Sequence, residues 1–135
     1  MANLLEVAVD SLASARAAIA GGADRLELCS ALTVGGLTPY AELLKRIRAE
    51  SNINIRCLMR PRSGDFLYTK EEILMMAAQI KNLQALGSDG FVIGCLYLHS
   101  VRVVLLNLST NEKLSFIDKF RKPSAPALPR KARAD

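Results

Sequence analysis

Large apolar residues recur at every second position from Leu5 to Val9 within the stretch Leu4 to Asp10. Leu5, Val7 and Val9 share one face and Glu6, Ala8 and Asp10 the other, which predicts a strand. Asp10 or Ser11 then offers a helix N-cap, and Leu12, Ala15 and Ile19 form a helical stripe that stops at Gly21-Gly22. A second strand follows over Arg25–Cys29. Leu26 and Leu28 point to one side, Arg25, Glu27 and Cys29 to the other. Ser30–Leu37 reads as a loop. Thr38 as N-cap with Pro39 at the first helical position opens a second helix, which buries Leu43, Leu44 and Ile47 and ends near Glu50.

Ile53–Arg60 is a third strand, with Ile53, Ile55, Cys57 and Met59 opposite Arg56, Leu58 and Arg60. Pro61–Tyr68 is a loop of turn formers and charges. Thr69 and Glu72 make a capping box for a third helix with Ile73, Met76, Ala77, Ile80 and Leu83 at helical spacing, ending at Gly87. The Met75-Met76 pair reads as core rather than as metal ligands. Phe91–Leu96 is an all-apolar fourth strand.

This rhythm is α/β, with three βα units and a fourth parallel strand. It allows a doubly wound sheet or an eight-fold barrel, and periodicity does not choose between them. The polar faces of the first three strands lean toward a barrel with a charged interior, because an open parallel sheet packs apolar helices on both faces. After Leu96 the texture changes. Val101–Leu106 reads as a strand, Ser109 and Glu112 as caps of a short helix reaching Phe120, and the chain from about 123 as disordered. Residues 1–96 and 97–135 are therefore expected to be different in kind.

Charge follows the same division. The net charge is +5, yet residues 1–96 are neutral, and the whole excess lies in the basic tail of 97–135. With seven aromatics among 135 residues, base stacking is not a theme, and no nucleic-acid partner is expected. No apolar run reaches the ~18 residues of a membrane span, and no secretory signal is visible, so no membrane partner is expected either. Three cysteines outside any disulfide framework suit a reducing cytoplasm.

Several residues could carry chemistry. Glu6 and Glu27 lie on the polar faces of neighbouring strands. They could bind a cation, divide acid and base roles, or pair with Arg25 and Arg60 in a structural network. Arg60-Pro61-Arg62 with Asp65 stands where strand three ends, and two guanidiniums held by a proline suit a carboxylate or phosphate. Cys29, beside Glu27, is expected to have the exposure and polar company of a ligand or reactive thiol, whereas Cys57 and Cys95 fall on packed faces. No phosphate loop, Ser-His-Asp set or CxxC pattern is present.

Taken together, Leu5-Glu6-Val7, Val9-Asp10-Ser11, the run Gly21 to Ser30, Gly35-Gly36-Leu37-Thr38-Pro39, Arg60-Pro61-Arg62 with Gly64 to Tyr68, and Asp89-Gly90 with Gly94 and Leu96 resemble the CutC copper homeostasis family over residues 4–96. The resemblance implies an incomplete (β/α)8 TIM-type barrel over residues 1–96, followed by a divergent tail. It also implies a cytoplasmic protein with a role in copper tolerance or trafficking, and association as homo-oligomers. Copper(I) favours thiolates, and Cys29 matches one of the family's proposed ligands. Ala8 stands where many animal members have a cysteine, Ser63 replaces a usual glycine, and Gln79 a usual acidic residue. Beyond Leu96 the family's second half barrel is not recognisable, as in a truncated form. The rival expectation is a barrel enzyme in which Glu6 and Glu27 are the catalytic acid and base and Arg60, Arg62 and Asp65 hold a small anionic substrate. A third is an inactive truncated isoform.

Overall fold

The structure is a computed structural model, and it describes residues 3–95 and the backbone of 106–109. Its elements are β1 (Glu6–Val9), α1 (Leu12–Ala20), β2 (Arg25–Leu28), a 3-10 turn (Leu32–Val34), α2 (Ala41–Glu50), β3 (Asn54–Met59), α3 (Lys70–Ala85), β4 (Gly90–Ile93) and β5 (Leu106–Ser109). β1 to β4 are parallel and lie side by side in chain order.

That order settles what periodicity left open. Right-handed crossovers between consecutive strands, always stepping the same way, place every helix on one side of the sheet. Val9, Leu26, Leu28, Ile55, Cys57, Met59, Phe91 and Ile93 from the strands form one cluster with Ala15 of α1, Leu44 and Ile47 of α2, and Met76, Ile80 and Leu83 of α3. The opposite face carries no helix among the described residues and holds Glu6, Glu27, Arg56 and Leu58, each partly exposed. A doubly wound sheet reverses direction and covers both faces; this one is a sector of a βα barrel.

Local signals explain most element ends. Ser11 caps α1 in a capping box with Ser14, and Thr69 caps α3 with Glu72. Gly22 and Gly87 leave α1 and α3 with positive φ. The second helix differs from expectation. It starts at Ala41, and its N-cap is Tyr40, which makes no side-chain cap bond. The Thr38 hydroxyl is engaged elsewhere: it accepts from Arg60 N at 2.9 Å and points at Met59 Sδ. A long-range partner outcompeted the local cap. The Met75-Met76 pair also divides, with Met76 in the core and Met75 56% exposed.

A strand at Leu106–Ser109 runs antiparallel along β4; it shares only Leu106 with the strand expected over 101–106, and it places Ser109, expected as a helix cap, in a strand. It thus takes the edge of β4 in the sense opposite to a barrel repeat. Residues 101–105, the helix expected beyond Ser109 and the disorder expected from about 123 lie outside the described residues.

Candidate functional site

Register sorts the polar face into levels. Glu6, Arg25 and Asn54 are partners at the N-terminal ends of their strands. Ala8, Glu27, Arg56 and Gly90 form the next level. Asp10, Cys29 and Leu58 continue the same parity one step on, and Arg60 lies beyond Leu58 at the C-terminal rim. Arg60 is six residues past Asn54, which at ~3.3 Å per residue is about 20 Å along the strand. Glu6 and Arg60 therefore share a face and not a site.

The two carboxylates do meet. Glu27 lies near Glu6, and its pKa is raised by burial first and then by the neighbouring Glu6 carboxylate. Glu6 is in turn ion-paired to Arg25 Nε, with both side chains about a fifth to a quarter exposed. The Arg25 half of the structural network is thus present, while Arg60 takes no part in it. The two carboxylates stand at the end of the barrel where side chains commonly serve stability.

Cys29 lies just past β2. Its polar company is real, but the exposure expected of a reactive thiol is not there: the residue is 1% exposed. Its Sγ donates to the Val9 carbonyl at 3.4 Å. Burial, then the charges of Glu27 and Asp10, push the thiol up from its ordinary 9.0 to about 11. Cys29 is consequently a neutral thiol near pH 7. Cys57 and Cys95 are buried on the helix side, as their parity predicts.

The arginine loop separates its two guanidiniums. Arg62 donates to Glu72 Oε1 at 2.7 Å, to Asp65 O at 3.0 Å and Oδ1 at 3.1 Å, and to Leu67 O at 2.9 Å. Arg62 also stacks on the Tyr68 ring. Arg62 and Asp65, both expected to hold substrate, are thus committed to shaping their own loop. Arg60 reaches across to the preceding loop. Its Nη1 donates to Val34 O at 2.7 Å and Gly36 O at 2.9 Å, its Nη2 to Gly64 O at 3.2 Å, and its guanidinium stacks on Phe66. It latches the loop after β2 onto the loop after β3.

The CutC family model matches residues 3–114. The chain belongs to the CutC family. Its match continues past residue 96, where the motifs quoted above end. A Drosophila melanogaster relative named copper homeostasis protein cutC homolog is 50% identical over 93 residues, which cover 68% of this chain and 35% of that protein. A Homo sapiens relative of the same name is 47% identical over 93 residues, covering 69% of this chain and 34% of that protein. A solved structure from Streptococcus agalactiae that carries the name CutC superposes with a TM-score of 0.66 at 28% identity, covering 84% of this chain and 52% of that one. The chain thus spans roughly a third to a half of the length of these CutC proteins.

The CutC name raises the question of copper, and the donors present answer it in part. Copper(I) prefers two or more soft donors. Cys29 is one such donor, but its neighbours Glu27 and Asp10 are hard carboxylates. Among the described residues no group of three or more His, Cys, Asp and Glu is placed to hold a metal ion. Among the described residues Cys29 is thus the one thiol on this face. Asp10, a candidate helix cap by sequence, shares parity with Glu6 and Ala8 and so falls on Cys29's level. Nothing in the chain neighbours of Tyr68 and Arg48 marks what these two side chains touch.

Proposed function

We propose that this chain acts in copper homeostasis, with Cys29 as the thiol that meets copper(I) as a transient cargo. The observation that carries this is the family match over residues 3–114, together with the copper homeostasis names of the fly and human relatives. The position of Cys29 past the C-terminal end of β2, on the interior face, supports it, because that rim is where barrels place their working residues. Its burial and neutral state favour a thiol that gives up its proton only when metal arrives, which links binding to pH. Three free cysteines and no disulfide support a reducing, cytoplasmic setting. Among the described residues no helix is long and apolar enough to cross a membrane.

The test is a copper(I) titration of the wild type against Cys29→Ser under anaerobic conditions with a competing chelator. The wild type should bind and the variant should lose most of its affinity. Equal binding by the two proteins sinks the role of Cys29.

A further inference from the structure

Two buried donor groups at the C-terminal rim of β3 lack acceptors. Tyr68 is 8% exposed, and its hydroxyl has no hydrogen-bond partner among the described residues. Arg60 Nε is also buried and unpartnered, even though Nη1 and Nη2 of the same guanidinium are engaged. Folded proteins leave few such groups, and each calls for a partner. Arg60 and Tyr68 stand at the two ends of one loop, which is folded tightly by paired stacking. Arg60 lies over Phe66 and Arg62 over Tyr68, each 5.2 Å from the ring centroid. Burial raises the Tyr68 phenol above its ordinary value, and the nearby Arg60 charge pulls against that rise.

We propose that Arg60 Nε and the Tyr68 hydroxyl form a binding site for an oxyanion, the phosphate or carboxylate group of a small ligand. Arg60 Nε can only donate, and its guanidinium stays charged at any working pH. A phenol donates as readily as it accepts. Two donors and one fixed positive charge match an anionic oxygen and repel a cation. The setting is the strand C-terminal rim, where βα barrels collect ligand groups. Arg62 and Asp65 are not ligands of the anion. They brace the loop that carries Tyr68. The site stands apart from the copper reading, since it uses neither Cys29 nor any carboxylate.

The experiment titrates the full chain calorimetrically with inorganic phosphate and, separately, with malonate. Tyr68→Phe keeps the ring under Arg62 and removes only the hydroxyl. Tyr40→Phe, at an exposed tyrosine, is the control. The wild type and Tyr40→Phe should bind one of the two anions, and Tyr68→Phe should bind it ~10-fold more weakly, as expected for loss of a hydrogen bond to a charged group. A response to phosphate alone assigns a phosphate group, and a response to malonate alone a carboxylate. In the wild type the Arg60 Nε–H proton resonance should move on adding the same anion. No binding of either anion, equal affinity of wild type and Tyr68→Phe, or an unmoved Arg60 resonance overturns the assignment.

Discussion

Gly36 lies against the Cys29 thiol. A Cβ built on Gly36 would stand 3.6 Å from Cys29 Sγ and 2.8 Å from Leu58 Cδ2, and the residue has a φ of +94°. The loop after β2 thus roofs Cys29, and Arg60 latches that roof through the Gly36 carbonyl.

Gly36→Ala should therefore lift the roof. The positive φ and the close approach to Leu58 together predict a stability loss of about 1–3 kcal/mol. Iodoacetamide labelling of Cys29, read by peptide mass spectrometry, should become faster than in the wild type. Unchanged labelling would show that another element shields the thiol.

The raised Cys29 pKa makes a prediction about pH. In the unfolded chain the thiol ionises around its ordinary 9.0, and in the folded chain around 11. Between those values the unfolded state holds fewer protons. The stabilising contribution is complete below about pH 9 and is lost as pH rises toward 11. Urea melts across that window should show falling stability, with a smaller fall in Cys29→Ser. Below the window, labelling and copper(I) affinity at Cys29 should both climb, roughly tenfold per pH unit for a single thiolate.

Glu6→Gln should lower the Glu27 pKa without returning it to the ordinary value. Burial is the larger cause of the rise, and only the contribution of the Glu6 carboxylate is altered. Carboxyl carbon shifts of Glu27 followed by NMR would measure this. In the wild type, the raised value makes Glu27's contribution complete below its unfolded pKa and progressively lost as pH climbs through the folded one. The variant should lose less over that range.

Arg48 is the counterpart of Arg60 at the opposite end of the sheet. It donates to Gly87 O at 2.7 and 3.0 Å, to Ile53 O at 2.8 Å, to Ser51 O at 3.2 Å and to Asp89 Oδ2 at 2.7 Å. Asp89 also accepts from Ile55 N at 2.9 Å, so the clamp joins α2, β3 and the turn into β4. Arg48→Ala should cost about 2–4 kcal/mol, because it strands several backbone carbonyls. Arg48→Lys should cost less, since one amine can serve only part of the set. Denaturant unfolding of the two variants tests the order.

The helix ends at Ser11, Thr69, Gly22 and Gly87 were legible in the chain because their partners are within a few residues. Strand faces were legible for a similar reason: alternation of Arg25, Glu27 and Cys29 with Leu26 and Leu28 survives any register. Thr38 was misread because its hydroxyl meets Arg60, 22 positions away. Cys29 was given the right company and the wrong exposure, since the segment that covers it is its own following loop. Arg60 and Arg62 looked equivalent by type and spacing, and only the packing of Phe66 and Tyr68 told them apart.

The sequence by itself determined the alternation of strands and helices, the parity that sets Glu6, Glu27 and Arg60 on one face, and membership of the CutC family. These depend on neighbours along the chain. Tertiary structure decided that the helices share one side, that Glu27 meets Glu6 while Arg60 sits about 20 Å further along, and that Cys29 lies closed and neutral beneath Gly36. Those outcomes arise from strand register and loop closure, which are contacts between residues far apart in the chain, and no local pattern encodes them.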